Sequence, residues 1–249
     1  MIPSADPAHF SVLSINLHKG LSPLNRRVIV HGVRHRLHAL NPDIVFLQEV
    51  QDTHDRHARR HADWPGEAQS AFLAGSLWPE VHYERNAEYR DGHHGNAIFS
   101  HFPVDSVSNE NISDHRFERR GLLHVVIRMG GRRAHCFCVH LALFERSRRR
   151  QIDRILAAIV ERVAPDEPLI VAGDFNDWRN LVEARFEAAG LVDVFRSGRT
   201  GAPRTFPGRL PIFRLDRIYV RGLTVVVAES LKSWSALSDH LAIRATLAL

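Results

Sequence analysis

The strongest constraint on this chain is a junction that it repeats: a short apolar run passing straight into acidic, amide or imidazole side chains. In "LIVAGDFNDW", Leu169 to Trp178, four residues suited to a buried strand lead into Gly173, Asp174, Phe175, Asn176 and Asp177. Unpaired charge at the exit of a buried strand is costly, so these groups need partners or a purpose. Taken alone, the segment fits two readings. One is a turn or helix cap, where Asp and Asn are favoured and Gly tolerates strained backbone. The other is part of a site that holds a cation or a water.

The same junction recurs along the chain. Asn16 and His18 follow "SVLSI", Glu49 lies near the end of "DIVFLQEV", His140 ends "AHCFCVH", and Asp239 and His240 precede "LAIRATLAL". Singly, Asn16 reads as a turn residue, Glu49 as a helix cap and His140 as a core histidine. Asp216 is different, because it lies inside "RLDRIYV" and a carboxylate there must be paired; Arg214 and Arg217 are the neighbouring cations. Layered α/β folds build their sites at strand ends, and the set as a whole points to one.

Periodicity organises the rest. Ile29, Val33, Leu37 and Leu40 fall at helical spacing, with Pro23 near the start and Asn41-Pro42 as the stop. A second helix from Glu145 carries Ile152, Ile155, Leu156, Ile159, Val160 and Val163 on one stripe, with Arg146, Arg148, Arg149, Arg150 and Arg154 mostly off it. A third is expected around "NLVEARFEAAG". "GNAIFSHFPV" is expected as one strand, and "GLLHVVIRM" and "RRAHCFCVHLAL" as a hairpin through Gly130-Gly131. Further strands are "RLDRIYV", "LTVVVAES" and "LAIRATLAL". Strands outnumber helices and no linker or repeat interrupts them, so residues 1–249 are expected to form a single domain of sheets flanked by helices.

No run reaches the roughly 18 to 20 apolar residues of a transmembrane helix, and the N-terminus lacks a signal-peptide pattern. Cys136 and Cys138 alternate, share one face of a strand and cannot readily bridge each other. Both points suit a cytoplasmic protein. Thirty-three Lys and Arg against 28 Asp and Glu, with Arg dominant, favour an anionic, phosphate-bearing partner. No Cys or His cluster has zinc spacing.

"SINLHKG", "DIVFLQEV", "GNAIFSHFPV", "ERRGLLHV", "CVHLAL", "VAGDFNDW", "LDRIYV" and "LSDHLAI" resemble, in order, the motifs of the endonuclease/exonuclease/phosphatase (deoxyribonuclease I-like) superfamily. The wording "NLHKG", "HHGNA", "GDFNDW" and "TFP…RLDRIYV" is also similar to a bacterial subgroup of uncharacterised members often linked with cardiolipin synthase. The resemblance implies an α+β, four-layer α/β sandwich: two packed, mainly antiparallel sheets flanked by helices. It implies a metal-dependent phosphoric ester hydrolase using Mg²⁺, with Mn²⁺ also possible. Glu49, Asn16 and Asp239 would hold the metal. His240 would be catalytic, oriented by Asp216, while Asp174 and Asn176 would position water and a phosphate oxygen. His140 would donate to phosphate, Glu118 would orient it, and Arg120 and Asn96 would contact or support the substrate. His18 departs from members with a carboxylate or amide two residues after the Asn, which argues against a second metal there, although histidine accepts Mn²⁺.

The superfamily's fold does not name its substrate. A phospholipid headgroup, a small phosphoester and a nucleic acid all suit the motifs, as does a binding protein that kept the fold without catalysis. "RHARRHADW" and "ERSRRRQIDR" are candidate nucleic-acid contacts or solvated helix faces. The loop from Ser197 to Phe213, with Phe206, Leu210, Ile212 and Phe213, is a candidate for peripheral membrane contact or for packing beside the site. No obligate protein partner is evident.

Overall fold

The computed structural model describes residues 9–22, 26–115, 118–196 and 201–249. Among these, twelve strands follow in chain order as β1 (Phe10–Asn16), β2 (Ile44–His54), β3 (Glu80–Tyr89), β4 (Gly92–Ser100), β5 (Val104–Asn111), β6 (Gly121–Met129), β7 (Arg132–His140), β8 (Leu169–Asp174), β9 (Val192–Asp193), β10 (Asp216–Arg221), β11 (Thr224–Ser230) and β12 (Ile243–Ala248). One sheet runs β11-β12-β1-β2-β4-β3 and the other β5-β6-β7-β8-β10-β9. Neighbours pair antiparallel except at the centre of each sheet, where β1 and β2, and β7 and β8, are parallel.

The central strands are apolar on both faces because both faces are covered. Phe10, Val12, Ile44 and Phe46 of the first sheet meet Cys136, Cys138, Ile170 and Ala172 of the second in the inter-sheet core. The alternate residues Leu13, Ile15, Val45 and Leu47 turn outward to α1 (Val30–Leu40) and α3 (Gln69–Ala74), between which the short α2 (Asp55–Arg60) follows β2. Phe137, Val139, Leu169 and Val171 likewise pack on α4 (Glu145–Arg162) and α5 (Glu183–Ala188). The result is the expected four-layer sandwich. Cys136 and Cys138 share the inner face as free, buried thiols. No helix among the described residues is long and apolar enough to cross a membrane.

Local sequence explains the element ends. α1 stops at Asn41, whose left-handed conformation (φ 44°) closes the last turn onto Leu37. Its N-terminus differs from expectation: helix begins at Val30, and Pro23 lies outside the described residues. "GNAIFSHFPV" is not one strand. Pro103 has no N–H, Ser100 Oγ takes the N–H of Phe102, and the chain crosses to the other sheet as β5. On α4, Ile152, Ile155 and Ile159 are buried, but Val160 is 83% exposed and Arg148 is buried, reversing their expected sides. Arg148 is drawn in by the carbonyls of Ala142 and Leu143, by Asp177 at 3.7 Å and by the Trp178 ring. The other basic side chains of this run are largely paired, Arg149 with Glu145 and Arg150 with Asp114.

Gly173 sits at a close approach within the second sheet. Its φ is 147°, and a Cβ there would lie 1.9 Å from the Val139 carbonyl oxygen across the β7–β8 pair. Gly173→Ala is expected to destabilise the protein by about 1–3 kcal/mol or more through overpacking and backbone strain. Urea unfolding measures this, and an unmoved midpoint would contradict the close strand contact.

Candidate active site

Parallel strands finish on the same side of a sheet, so each central pair delivers two polar ends together. Asn16 ends β1 beside Gln48 of β2, and Glu49 follows. The β2–β4 register slips between Leu47 and Val50, and Glu49 takes a positive φ of 53°, a bulge that re-aims its side chain. In the other sheet His140 ends β7 opposite Asp174 at the end of β8, and Asp216 opens β10 opposite Asp174. His240 comes from the segment before β12. Ser238 anchors that segment by donating its hydroxyl to the Asn16 carbonyl at 2.7 Å and accepting from the His240 N–H.

Asn16, Glu49, His140, Asp174 and His240 face one cavity of about 750 Å³. His240 Nδ1 lies 2.9 Å from Asp216 Oδ2, and His240 Nε2 lies 3.8 Å from Asp174 Oδ2. His140 Nε2 is 3.5 Å from the same Asp174 oxygen. The Asn16 amide donates to that oxygen at 3.1 Å, and the backbone N–H of Asn176 donates to the other at 2.9 Å. Asn176, itself at positive φ, gives its side-chain amide to the Leu141 carbonyl. Across the cavity, Lys19 Nζ lies 3.8 Å from Glu49.

Burial sets the electrostatics. It would lower the basicity of His240, but the charges of Asp216 and Asp174 outweigh it and push the imidazole up to about 10. Burial raises Asp174 to about 6, against the pull of His240. His140, equally buried and near Arg120, is held neutral well below the usual histidine range. One end of the cavity therefore carries a cationic imidazole, a neutral imidazole and a carboxylate within reach of one another.

Of the residues singled out in the sequence, Asn16, Glu49, Glu118, Arg120, His140, Asp174, Asn176 and His240 line the cavity, and Asp216 lies fully buried behind His240. The partner of Asp216 is His240; Arg217 turns instead to Asp193 and Asn180. Asn96 does not reach the cavity. Its amide joins the sheets by donating to the carbonyls of Gly121 and Cys138. Glu118 accepts from Asp114 N–H and Gln151 rather than from His140, whose carboxylate neighbour is Asp174. His18 pairs with Asp239 at 3.0 Å. The expected metal set Glu49, Asn16 and Asp239 is thus divided between Lys19 and His18 contacts, whereas Asp174, Asp216 and His240 bring ligand atoms within 4.8 Å of one another.

Sequence reasoning missed Lys19, although it lies in the quoted "NLHKG", and it missed Leu143, Phe144 and Trp178 as an apolar wall, while the loop reading had placed Phe206 and Phe213 beside the site. Leu143, Phe144, Trp178, Phe206 and Phe213 all line the cavity, with the Phe206 ring 4.9 Å from that of His240. Adjacent Leu143 and Phe144 after a strand-end histidine were the available signal.

A family model described as "Endonuclease/Exonuclease/phosphatase family" matches residues 13–240. The uncharacterized protein YbhP of Escherichia coli K12 is 40% identical over 245 residues, 96% of each chain. Among solved structures, D. rerio TDP2 complexed with a single-strand DNA product superposes with TM-score 0.72 at 19% identity, covering 98% of this chain and 100% of that one. The mannosyl-6-phosphatase Bt3783 of Bacteroides thetaiotaomicron gives TM-score 0.73 at 17% identity, covering 96% and 100%. None of these names bears on cardiolipin synthase.

Because the His240 value in the folded protein lies above that of an unfolded histidine, its contribution to stability is complete below about pH 6.5 and is lost as pH rises toward 10. Asp216→Asn is expected to lower the His240 titration and to flatten this alkaline loss. Imidazole NMR titration and pH-dependent unfolding measure both; a titration that stays in place would contradict the Asp216–His240 coupling.

Proposed function

The chain belongs to the endonuclease/exonuclease/phosphatase family, and on that premise we propose that it is a divalent-metal-dependent phosphoesterase acting on a lipid headgroup or small phosphoester, as one domain over residues 1–249, in the cytoplasm. The observation that carries this reading is the His240–Asp216 pair beside Asp174, facing Glu49 across a single cavity. A scaffold without chemistry has no need of a buried cationic imidazole held between two carboxylates.

The donor chemistry fits a hard cation. Glu49 offers carboxylate oxygen where a lysine ammonium already sits, and Asn16 and Asp239 add oxygens from adjoining segments. These three residues would hold Mg²⁺, or Mn²⁺. Such an ion supplies charge neutralisation on the phosphate oxygens. The chain's own groups do the rest. Asp174, ionised above about pH 6, accepts a proton from the attacking water, which it orients together with Asn176. His240 donates to a phosphate oxygen as a cation, with Asp216 fixing its ring. His140 donates as a neutral imidazole, and Arg120, whose buried Nε has no protein acceptor among the described residues, adds positive charge.

The apolar wall favours a substrate with a hydrophobic part. A second reading, a nuclease, draws support from Tyr89, Phe144 and Trp178, aromatic rings at the cavity on which bases could stack. A panel of phospholipid vesicles, a soluble phosphodiester, supercoiled plasmid and single-stranded RNA, with Mg²⁺ or Mn²⁺, separates the two. Nicking of plasmid or cleavage of RNA that is lost in both His240→Ala and Glu49→Ala would mark the nuclease.

His240→Ala is expected to lower turnover by roughly 10²-fold or more, and Glu49→Ala to weaken metal dependence. An unchanged rate in either variant would overturn the assigned role. Inactivity of the wild type on every substrate would leave the phosphate-binding alternative.

A further inference from the structure

The loop 201–214 has two faces. Its inner residues are tied to the site: Thr205 Oγ1 accepts the N–H groups of Leu215 and Asp216, Gly208 N–H donates to the Asp239 carbonyl, and Leu241 N–H donates to Thr205. The packing alternative for this loop is therefore correct for Thr205 and Phe206, while Ser197 to Thr200 lie outside the described residues. Its outer residues are different. Leu210 is 73% exposed and Ile212 53%, and Phe213 bridges this tip to the mouth of the cavity.

Behind the tip lies a second cavity of about 680 Å³ whose walls include Arg204, Arg209, Arg214 and Lys232 and no acidic side chain. Arg214 donates to the Ala202 carbonyl. Arg204, Arg209 and Lys232 make no ion pair among the described residues, although most arginines of α4 do. Uncompensated cations beside exposed aliphatic tips are a pairing that water alone does not favour.

We propose that this surface docks the protein on an anionic phospholipid bilayer. Leu210 and Ile212 enter the acyl boundary, Arg204, Arg209 and Lys232 meet headgroup phosphates, and the cavity mouth faces the membrane. Leu143 and Phe144, 59% and 74% exposed on the same mouth, extend the apolar contact. The loop tip favours a bilayer over single-stranded nucleic acid: its exposed side chains, Leu210 and Ile212, are aliphatic and offer no ring on which bases stack, and at the mouth Leu143 is aliphatic too, while the Phe144 ring suits either partner. Charge complementarity with the cation-lined cavity selects anionic over zwitterionic lipid.

The proposal adds to the phosphoesterase reading and is tested apart from it. Full-length protein is floated with vesicles of phosphatidylcholine alone or mixed with phosphatidylglycerol. Wild type is expected to bind the mixed vesicles and not the neutral ones. Leu210→Ser with Ile212→Ser, and separately Arg209→Glu with Lys232→Glu, are expected to lose at least about tenfold in binding while hydrolysing a soluble phosphodiester at the wild-type rate. Glu49→Ala and His240→Ala are expected to float like wild type, so failed hydrolysis with intact binding counts against the enzyme reading alone. Indifference to phosphatidylglycerol, or binding untouched in both double variants, would overturn the docking surface. So would a single-stranded oligonucleotide that binds in its place and is lost in the same variants.

Discussion

Parallel pairing at the centre of each sheet is the constraint on which the rest depends. In an otherwise antiparallel sandwich, neighbouring strands would deliver their ends to opposite edges. By running β1 with β2 and β7 with β8 in one direction, each sheet presents two C-terminal ends at one place. Stacking the sheets then sets Asn16 and Glu49 against His140 and Asp174. The covering helices follow from the same choice, because parallel central strands are apolar on both faces and must be buried on both.

Within that frame, low dielectric turns a few carboxylates and imidazoles into groups of distinct character. Two histidines a few ångströms from Asp174 differ in charge, one cationic and one neutral, and Asp216 touches the first ring and not the second. Carboxylates part company in the same way: Asp174 is pushed upward by burial, whereas Asp239 is drawn below its usual range by His18 despite the opposing cost of burial.

Much of this was legible in the chain because polar side chains at strand exits interrupt a strong apolar pattern. Asp174, Asp216 and His240 stood out for that reason, and so did the layer order, since alternate residues of each central strand are apolar. What escaped depends on distance in sequence. β3 is a half-buried edge strand with no clean alternation. Asn96 sits in a motif but uses its amide to join two sheets, which no local pattern encodes. Arg148 reads as one more basic residue of a polar helix face until the carbonyls of Ala142 and Leu143 and the Trp178 ring come to meet it. The same contacts hold up the apolar wall, so its position was hidden with them.

Asn16 belongs to one sheet, donates its amide to Asp174 of the other and receives the Ser238 hydroxyl on its carbonyl. One residue thereby gauges whether the two halves of the sandwich have docked in alignment. A molecule with its sheets separated, or slipped by a single residue, would lose both bonds and with them the shared arrangement of Asn16, Asp174 and His240 around the cavity. For the proposed activity, nascent or damaged chains would therefore be silent rather than indiscriminately hydrolytic.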